Sequence, residues 1–483
     1  MAAASGSPKS TGKCHRWGRV ERMLGEIERL FAGLLQDSSI NRWYPRGRTL
    51  QDLCTAWAKR SRVGEVPAAL SPRSRACVRA ACEPYRPYTM AEVRTAAARK
   101  DFSVVSLFAG AGGSCTGYRH AGGEVRAVVE FGPNAAAAYK RNNPDCTVEQ
   151  RDIRHVLRDP NGVEDLLWRA GLLPGELDWL DSSPPCTEFS LGGAGIGDQN
   201  RPKLHSGMWQ THVASLPFEY AKFLHRTQAR VSLMENVVGL QIRAPELLRQ
   251  IVDTLRFRDG ERRYYANWKI LSASNYGVPQ KRKRIIVLSV RCDVAEKVGI
   301  CSDEDVLRLF PMPTHGTVSI RSAFEGLKQV WEDEEPYFKS LRRSQLHAAL
   351  KRLPKCPPKH QRLKNVKTNF SLTRCSYDLP APTLVIAGQK PDGLSGAIHP
   401  ELDRKFTIPE LKRLFGLPDD FILTGTIDEA VTCICNMVPP LLTKAVAESV
   451  YGLVLHPLAA RERLTRSERA GAPATLPHME CVD

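Results

Sequence analysis

The chain has 483 residues, 42% of them hydrophobic and 25% charged, which is enough for one large core with appendages or two to four domains. No apolar run is long enough to span a bilayer, so the composition excludes a membrane-spanning helical protein and predicts no membrane partner. Lys and Arg outnumber Asp and Glu by 69 to 52, a formal surplus of 17 that suits a polyanionic partner such as nucleic acid.

Met1–Gly18 carries Lys, Arg and His but no apolar segment, so no secretory signal is expected. The 14 cysteines are scattered singly, and the close pairs Cys77/Cys82 and Cys433/Cys435 lack the Cys-x-x-Cys spacing of a zinc knuckle. Reduced thiols in an intracellular protein (cytoplasm, or nucleoid if bacterial), with no structural metal, are the reading. Residues 1–100 form an N-terminal, mainly helical extension. Within it Val20–Leu35 sets Met23, Leu24, Ile27, Leu30, Phe31, Leu34 and Leu35 on one helical face, and Trp43, Tyr44, Leu50, Leu53 and Trp57 continue the apolar pattern. Ser71–Tyr88 reads as a linker, closed by a helix starting near Thr89.

From Phe102 strands alternate with helices. Ser103–Phe108 and Val125–Val129 read as strands and Ala135–Arg141 as a helix, and the alternation runs on through Leu177–Leu180, Val231–Met234 and Ala244–Leu255 to Arg284–Val290. The pattern predicts an α/β fold with a doubly wound, mixed but mainly parallel sheet over residues 101–305. Residues 306–404 lose the alternation and carry a basic stretch, Lys339–Lys367, suited to phosphate contacts. Residues 405–457 are helical again, with the segment Asn436-Met437-Val438-Pro439-Pro440, and 458–483 form a tail.

The chemistry gathers at strand ends. Ala109-Gly110-Ala111-Gly112-Gly113 follows the first strand, but Cys115 breaks the G-x-G-x-x-G fingerprint of dinucleotide sites. Glu130, ending the second strand, is placed to accept from ribose hydroxyls, and Asp152 from an adenine amino group; a nucleoside ligand without pyrophosphate fits this set better than NAD. Asp178–Ser190, DWLDSSPPCTEFS, brings Cys186 onto a rigid turn after a strand. Cysteine there is a nucleophile candidate if its surroundings lower the thiol pKa. Glu235, in Met234-Glu235-Asn236-Val237, is a candidate acid toward a heteroaromatic ring. Arg282 and Arg284, two apart in NYGVPQKRKR, are expected to face one side and to bind a base carbonyl or a phosphate.

The order LFAGAGG, Glu130, Asp152, PPCTEFS, ENV, Gln280-x-Arg-x-Arg and NMVPPLLTKAV, with RKFTIPELKRLFGLPDDF at Arg404–Phe421, resembles the DNA cytosine-5 methyltransferase family over about residues 102–455. The resemblance implies an S-adenosylmethionine-dependent methyltransferase fold. It makes 101–305 the catalytic and cofactor-binding domain, 306–404 an irregular target-recognition domain, and 405–457 a segment returning to the catalytic domain. Cys186 would add to carbon 6 of a flipped cytosine, Glu235 would protonate ring nitrogen 3, and Arg284, helped by Arg282, would grip the base carbonyl. S-adenosyl-L-methionine would be held by Phe108, Ala109, Gly110, Gly112, Gly113, Glu130, Asp152, Ile153, Pro185, Asn436 and Val438, with no metal. Leu191–His212 resembles the loop that closes over DNA. Double-stranded DNA is the implied partner, with a restriction endonuclease as a second. The competing readings are a tRNA methyltransferase of the same fold and a non-catalytic DNA-binding homologue. Cys435 departs from the family, standing where Gly usually precedes Asn436; so do Ser106, Thr187 and an interval at Met208–Tyr220 that reads as an insertion.

Overall fold

A computed structural model of the chain describes residues 85–185, 203–205, 208–327, 349–363, 372–389 and 395–471. Cys186, Thr187, the Val20–Leu35 helix, the linker at Ser71–Tyr88 up to residue 84, and residues 339–348 and 364–367 of the basic stretch lie outside the described residues. The chain divides into two compact units, Met1–Glu83 with Pro313–Thr317, and Pro84–Met312 with Val318–Asp483.

The second unit is built on seven strands: β1 (Phe102–Leu107), β2 (Gly123–Val129), β3 (Thr147–Glu149), β4 (Trp179–Ser182), β5 (Val231–Val237), β6 (Tyr264–Ser272) and β7 (Lys283–Arg291). Their order across the sheet is 3-2-1-4-5-7-6. The first five run parallel, and β7 is antiparallel to both of its neighbours. This is the mainly parallel, mixed sheet expected. Parallel strands are covered on both faces, so they read as continuous apolar runs. Accordingly all six residues of β1, FSVVSL, are buried.

Two cores flank the sheet, because successive strand residues point to opposite faces. Val104, Trp179 and Leu233 join the core shared with Leu442, Val446 and Val450. Val105, Leu107, Leu180 and Val287 join the other, with Leu166, Phe223 and Ile251. The helices that matter for the site are α1 (Met90–Ala97), α2 (Gly113–His120), α3 (Pro133–Asn142), α4 (Ile153–Arg158), α5 (Leu216–Thr227), α6 (Ile408–Phe415), α7 (Ile427–Asn436) and α8 (Pro440–Val450). Capping boxes start three of them: Thr89 with Glu92, Thr407 with Glu410, and Thr426 with Glu429. Contrary to the expectation of no span-length apolar run, the helical stretch Ile427–Arg463 holds an 18-residue window long and apolar enough to cross a bilayer, but 72% of that window is buried inside the protein, as in a core helix.

Helix α1 falls within the expected N-terminal extension, yet it packs in the second unit. Met90 and Val93 join a core with Phe415, Leu417 and Phe421, the Met90 N–H donates to Asp420 at 2.7 Å, and the Tyr88 hydroxyl donates to the Gly416 carbonyl at 2.7 Å. The expected insertion at Met208–Tyr220 resolves into the second strand of a hairpin, Lys203–His205 with Met208–Gln210, a short 3-10 turn and the start of α5.

In the region expected to read DNA, Gln361–Arg362, Leu372–Arg374 and Gly396–Ile398 form a small three-stranded sheet. It is tied back to the large sheet by backbone. Ala381 donates to the Pro279 carbonyl at 2.9 Å and Lys281 to the Ala381 carbonyl at 2.8 Å. Fully buried Gln280 donates to the Leu414 carbonyl at 3.1 Å and accepts from the Leu384 N–H at 3.0 Å.

Candidate active site

Strand register alone assembles one edge of the sheet. Leu107 pairs with Val129 and with Ser182, and Ser182 pairs with Met234. The residues that follow this row are therefore Glu130, Phe108, Ser183 and Glu235, side by side at the carboxyl ends of four adjacent parallel strands. Strands about 4.8 Å apart put roughly 14 Å between the outer two positions. Open α/β sheets bind ligands at this edge.

The glycine turn is shaped by backbone that side chains disfavour. Phe108, Gly110 and Gly112 all have positive φ, 57°, 58° and 104°. A Cβ on Gly110 would meet nothing within 4 Å, so its backbone faces open space, whereas one on Gly112 would lie 3.0 Å from the Tyr139 ring. On Gly113 it would lie 2.6 Å from the Val438 carbonyl oxygen. The expected cofactor residues Gly113 and Val438, 325 positions apart, are thus in contact, and Asn436 is exposed at the end of α7 just before them.

Glu130 is buried. One carboxylate oxygen accepts from the Gly110 N–H at 2.7 Å and the other from the Gly132 N–H at 2.6 Å. Burial pushes its pKa up, and these backbone donors pull it partly back. Each oxygen keeps a lone pair for a ligand hydroxyl. A carboxylate beside Gly110 would repel a pyrophosphate, so the turn fits a nucleoside without phosphates. Asp152 is a different case. It caps α4 and receives four contacts from Arg154, one from the backbone N–H at 2.9 Å and three from the guanidinium at 2.6–3.1 Å. Burial alone would raise its pKa, but the Arg154 bonds leave it lowered. The carboxylate expected to accept from an adenine amino group is therefore committed to Arg154, a local pairing two residues on; Ile153 beside it is buried at the first position of the helix.

At the other end of the row, Glu235 and Arg284 sit on antiparallel neighbours. Glu235 pairs with Ile286, so Arg284, two residues along, shares its face. Arg284 Nε meets Glu235 Oε1 at 2.7 Å, with both side chains about 10% exposed. Asn236 Nδ2 donates to the Pro184 carbonyl at 3.4 Å, which binds this strand to the turn leading through Pro185 into Cys186.

Arg282 does not share that face. It precedes β7, whose alternation begins at Lys283. It is 2% exposed, donates to the carbonyls of Leu384 at 3.2 Å and Cys435 at 2.9 Å, and lies over the Phe415 ring at 5.2 Å. Spacing in an extended segment could not reveal this, because the segment turns before the strand starts. Cys435, the departure from Gly, is buried with its thiol pushed up to about 12 by that burial, so it is inert.

Sequence reasoning missed Asp181. This carboxylate, 1% exposed on β4, accepts from Ser106 Oγ and Ser114 Oγ at 2.7 Å each and from Tyr118 Oη at 2.9 Å. The one signal in the sequence was an acid inside an apolar strand.

Three comparisons bear on this geometry. The chain is 26% identical over 386 residues to the type II methyltransferase M.XorII of Xanthomonas oryzae, covering 72% of this chain and 84% of that protein. It is 26% identical over 371 residues to M.Eco47II of Escherichia coli, covering 73% and 79%. An E. coli prophage-encoded protein described as a DNA modification methyltransferase shares the fold at a TM-score of 0.53 and 20% identity, over 73% of this chain and 99% of that one. Residues 102–452 match the family described as C-5 cytosine-specific DNA methylase, which spans the whole edge just described, and the chain belongs to that family.

Proposed function

We propose that the protein methylates carbon 5 of a cytosine in duplex DNA, with Cys186 as a covalent nucleophile toward a base swung out of the helix. The observation that carries this reading is the single row of strand ends that sets Glu130 and the glycine turn on the same edge as Glu235, Arg284 and the Pro184-Pro185 turn. A cytosine ring is too weak a nucleophile at carbon 5 to attack a methyl donor unaided. Addition of the Cys186 thiolate to carbon 6 makes an enamine, dividing one hard step into two easier ones. Glu235, held by Arg284 through one oxygen, keeps the other for a proton shared with ring nitrogen 3, so the addition builds no isolated negative charge. Arg284 supplies a fixed positive charge beside the base carbonyl. Once carbon 5 of the enamine has taken the methyl group, a base such as water removes the carbon 5 proton and the thiolate leaves carbon 6, which restores the aromatic ring.

Phe108, Ala109, Gly110, Gly112, Gly113, Glu130, Ile153, Pro185, Asn436 and Val438 would hold S-adenosylmethionine, whose sulfonium supplies an electrophilic methyl group when bound. In this reading Arg282 braces the loop behind Arg284 and does not touch the base. Residues 306–404 would read the DNA sequence, fastened to the catalytic region through Gln280 and Thr383, whose hydroxyl donates to the Lys281 carbonyl at 2.7 Å.

The test is incorporation of labelled methyl from S-adenosylmethionine into duplex DNA, with tRNA as a parallel substrate. DNA is expected to be labelled, Cys186→Ala is expected to abolish labelling while binding cofactor normally, and DNA containing 5-fluorocytosine is expected to trap a denaturant-resistant adduct. Labelling of tRNA alone, or an adduct formed by Cys186→Ala, would overturn the proposal.

A further inference from the structure

Asp181 is a buried acid for which the chemistry above has no use. Its carboxylate receives three hydroxyl donors from two elements. Ser106 lies on β1, and Ser114 and Tyr118 lie on the first and second turns of α2, the helix that begins at Gly113. Just past the end of Asp181's strand, the Ser183 N–H donates to the Leu107 carbonyl at 3.3 Å, and its hydroxyl to the Phe108 carbonyl at 3.1 Å. The same α2 has no room to slide: a Cβ on Gly117 would lie 2.4 Å from the Pro440 carbonyl oxygen.

We infer that Asp181 is a positioning residue, whose carboxylate locks the glycine-turn helix to the strand that leads into the Pro184-Pro185 turn. The inference deepens the methyltransferase reading and rests on it for the identity of the ligand. An ionised carboxylate can accept from all three hydroxyls, and with two oxygens it needs no other partner. An amide or a protonated acid must donate from one side, so at least one of the three hydroxyls can no longer donate to it.

The charge state of this group is set locally. Its pKa is raised to about 6: burial pushes it up most, the three hydroxyls pull it back, and the charge of Glu235 on β5 adds to the rise. The other titratable groups packed against it are Cys115 and Tyr118 on α2 and Tyr220 on α5, all held neutral by burial. Below about pH 6 the carboxylate takes up a proton and one hydroxyl loses its acceptor, although the neutral acid itself is less costly to bury.

The experiment compares wild type, Asp181→Asn and Ser114→Ala between pH 5.5 and 8. It measures KM for S-adenosylmethionine and for DNA separately, together with amide exchange across Gly110–Thr116. Wild type should show a cofactor KM that rises as pH falls through about 6. Asp181→Asn should raise that KM about fivefold at pH 7.5, the worth of one hydrogen bond, leave the DNA KM within about twofold, and lose the pH dependence. Both variants should exchange faster at Gly110–Thr116. Exchange needs no cofactor, so a wild type that fails to bind S-adenosylmethionine would refute the methyltransferase reading and leave this result standing on the exchange. If Asp181→Asn does not fold, Ser114→Ala and Tyr118→Phe decide the matter by the same measurements. Unchanged exchange, or equal shifts in both KM values, would overturn the inference.

Discussion

Arg282→Met tests whether the two arginines of the QKRKR segment do different jobs. The substitution keeps an unbranched stem but removes donors from two carbonyls, those of Leu384 and Cys435. Leaving a buried carbonyl unpaired costs about 1–3 kcal/mol, and losing a buried cation over the Phe415 ring costs roughly 1 kcal/mol more. With two such carbonyls the total comes to about 3–7 kcal/mol, a fall in Tm of roughly 4–8 °C for a unit of this size. Lysine can restore one of the two bonds, so Arg282→Lys should recover about half. Arg284→Met removes a partner of Glu235 at the edge of the site and should lower methylation with a much smaller change in Tm. Thermal unfolding would be followed together with amide exchange at 381–386 and 433–437. If Arg282→Met leaves Tm and exchange unchanged while impairing DNA methylation as Arg284→Met does, the tie described for Arg282 is wrong and both guanidiniums serve the base.

Gly113→Ala should cost about 1–3 kcal/mol and weaken cofactor binding, because its methyl would press on the Val438 carbonyl at 2.6 Å and on Met437 Cβ at 2.8 Å; calorimetric titration with S-adenosylmethionine at unchanged affinity would contradict this. Asp181 also bears on stability. Its folded pKa, about 6, lies above the ordinary 3.8. The folded state therefore holds a proton that the unfolded state has released, and this contribution is full below pH 4 and lost as pH rises through 6. Its size is roughly 3 kcal/mol. The Tm of Asp181→Asn minus that of wild type should climb between pH 4 and 7, and a flat difference would refute the assignment of that charge.

The parts of the site that lie on strand ends were legible because period and punctuation fix them. An apolar run that breaks at AGAGG, a strand closing on Glu130 and another on Glu235 give the sheet, its edge and the acids on it. What lay beyond reading depends on partners hundreds of residues away. Nothing near Arg282 says that its donors meet Leu384 and Cys435, and strand alternation would put it on the same face as Arg284. Asp152 looked open to a ligand because its partner, Arg154, is claimed only once the helix turns. The placement of α1 on Phe415 and Phe421 was equally hidden, since its own sequence shows an apolar stripe but not what covers it.

Gly113 and Gly117 admit no methyl because α8 and the segment before it rest on their backbone, at Val438 and Pro440. One side of the glycine turn that begins near residue 108 is therefore covered by a segment more than three hundred positions later. During synthesis the early strands can pair and the turn can form, yet the turn stays uncovered on that side until residues 437–450 have left the ribosome and docked. A nascent chain halted before that point would carry every expected reacting side chain and still have an uncovered glycine turn.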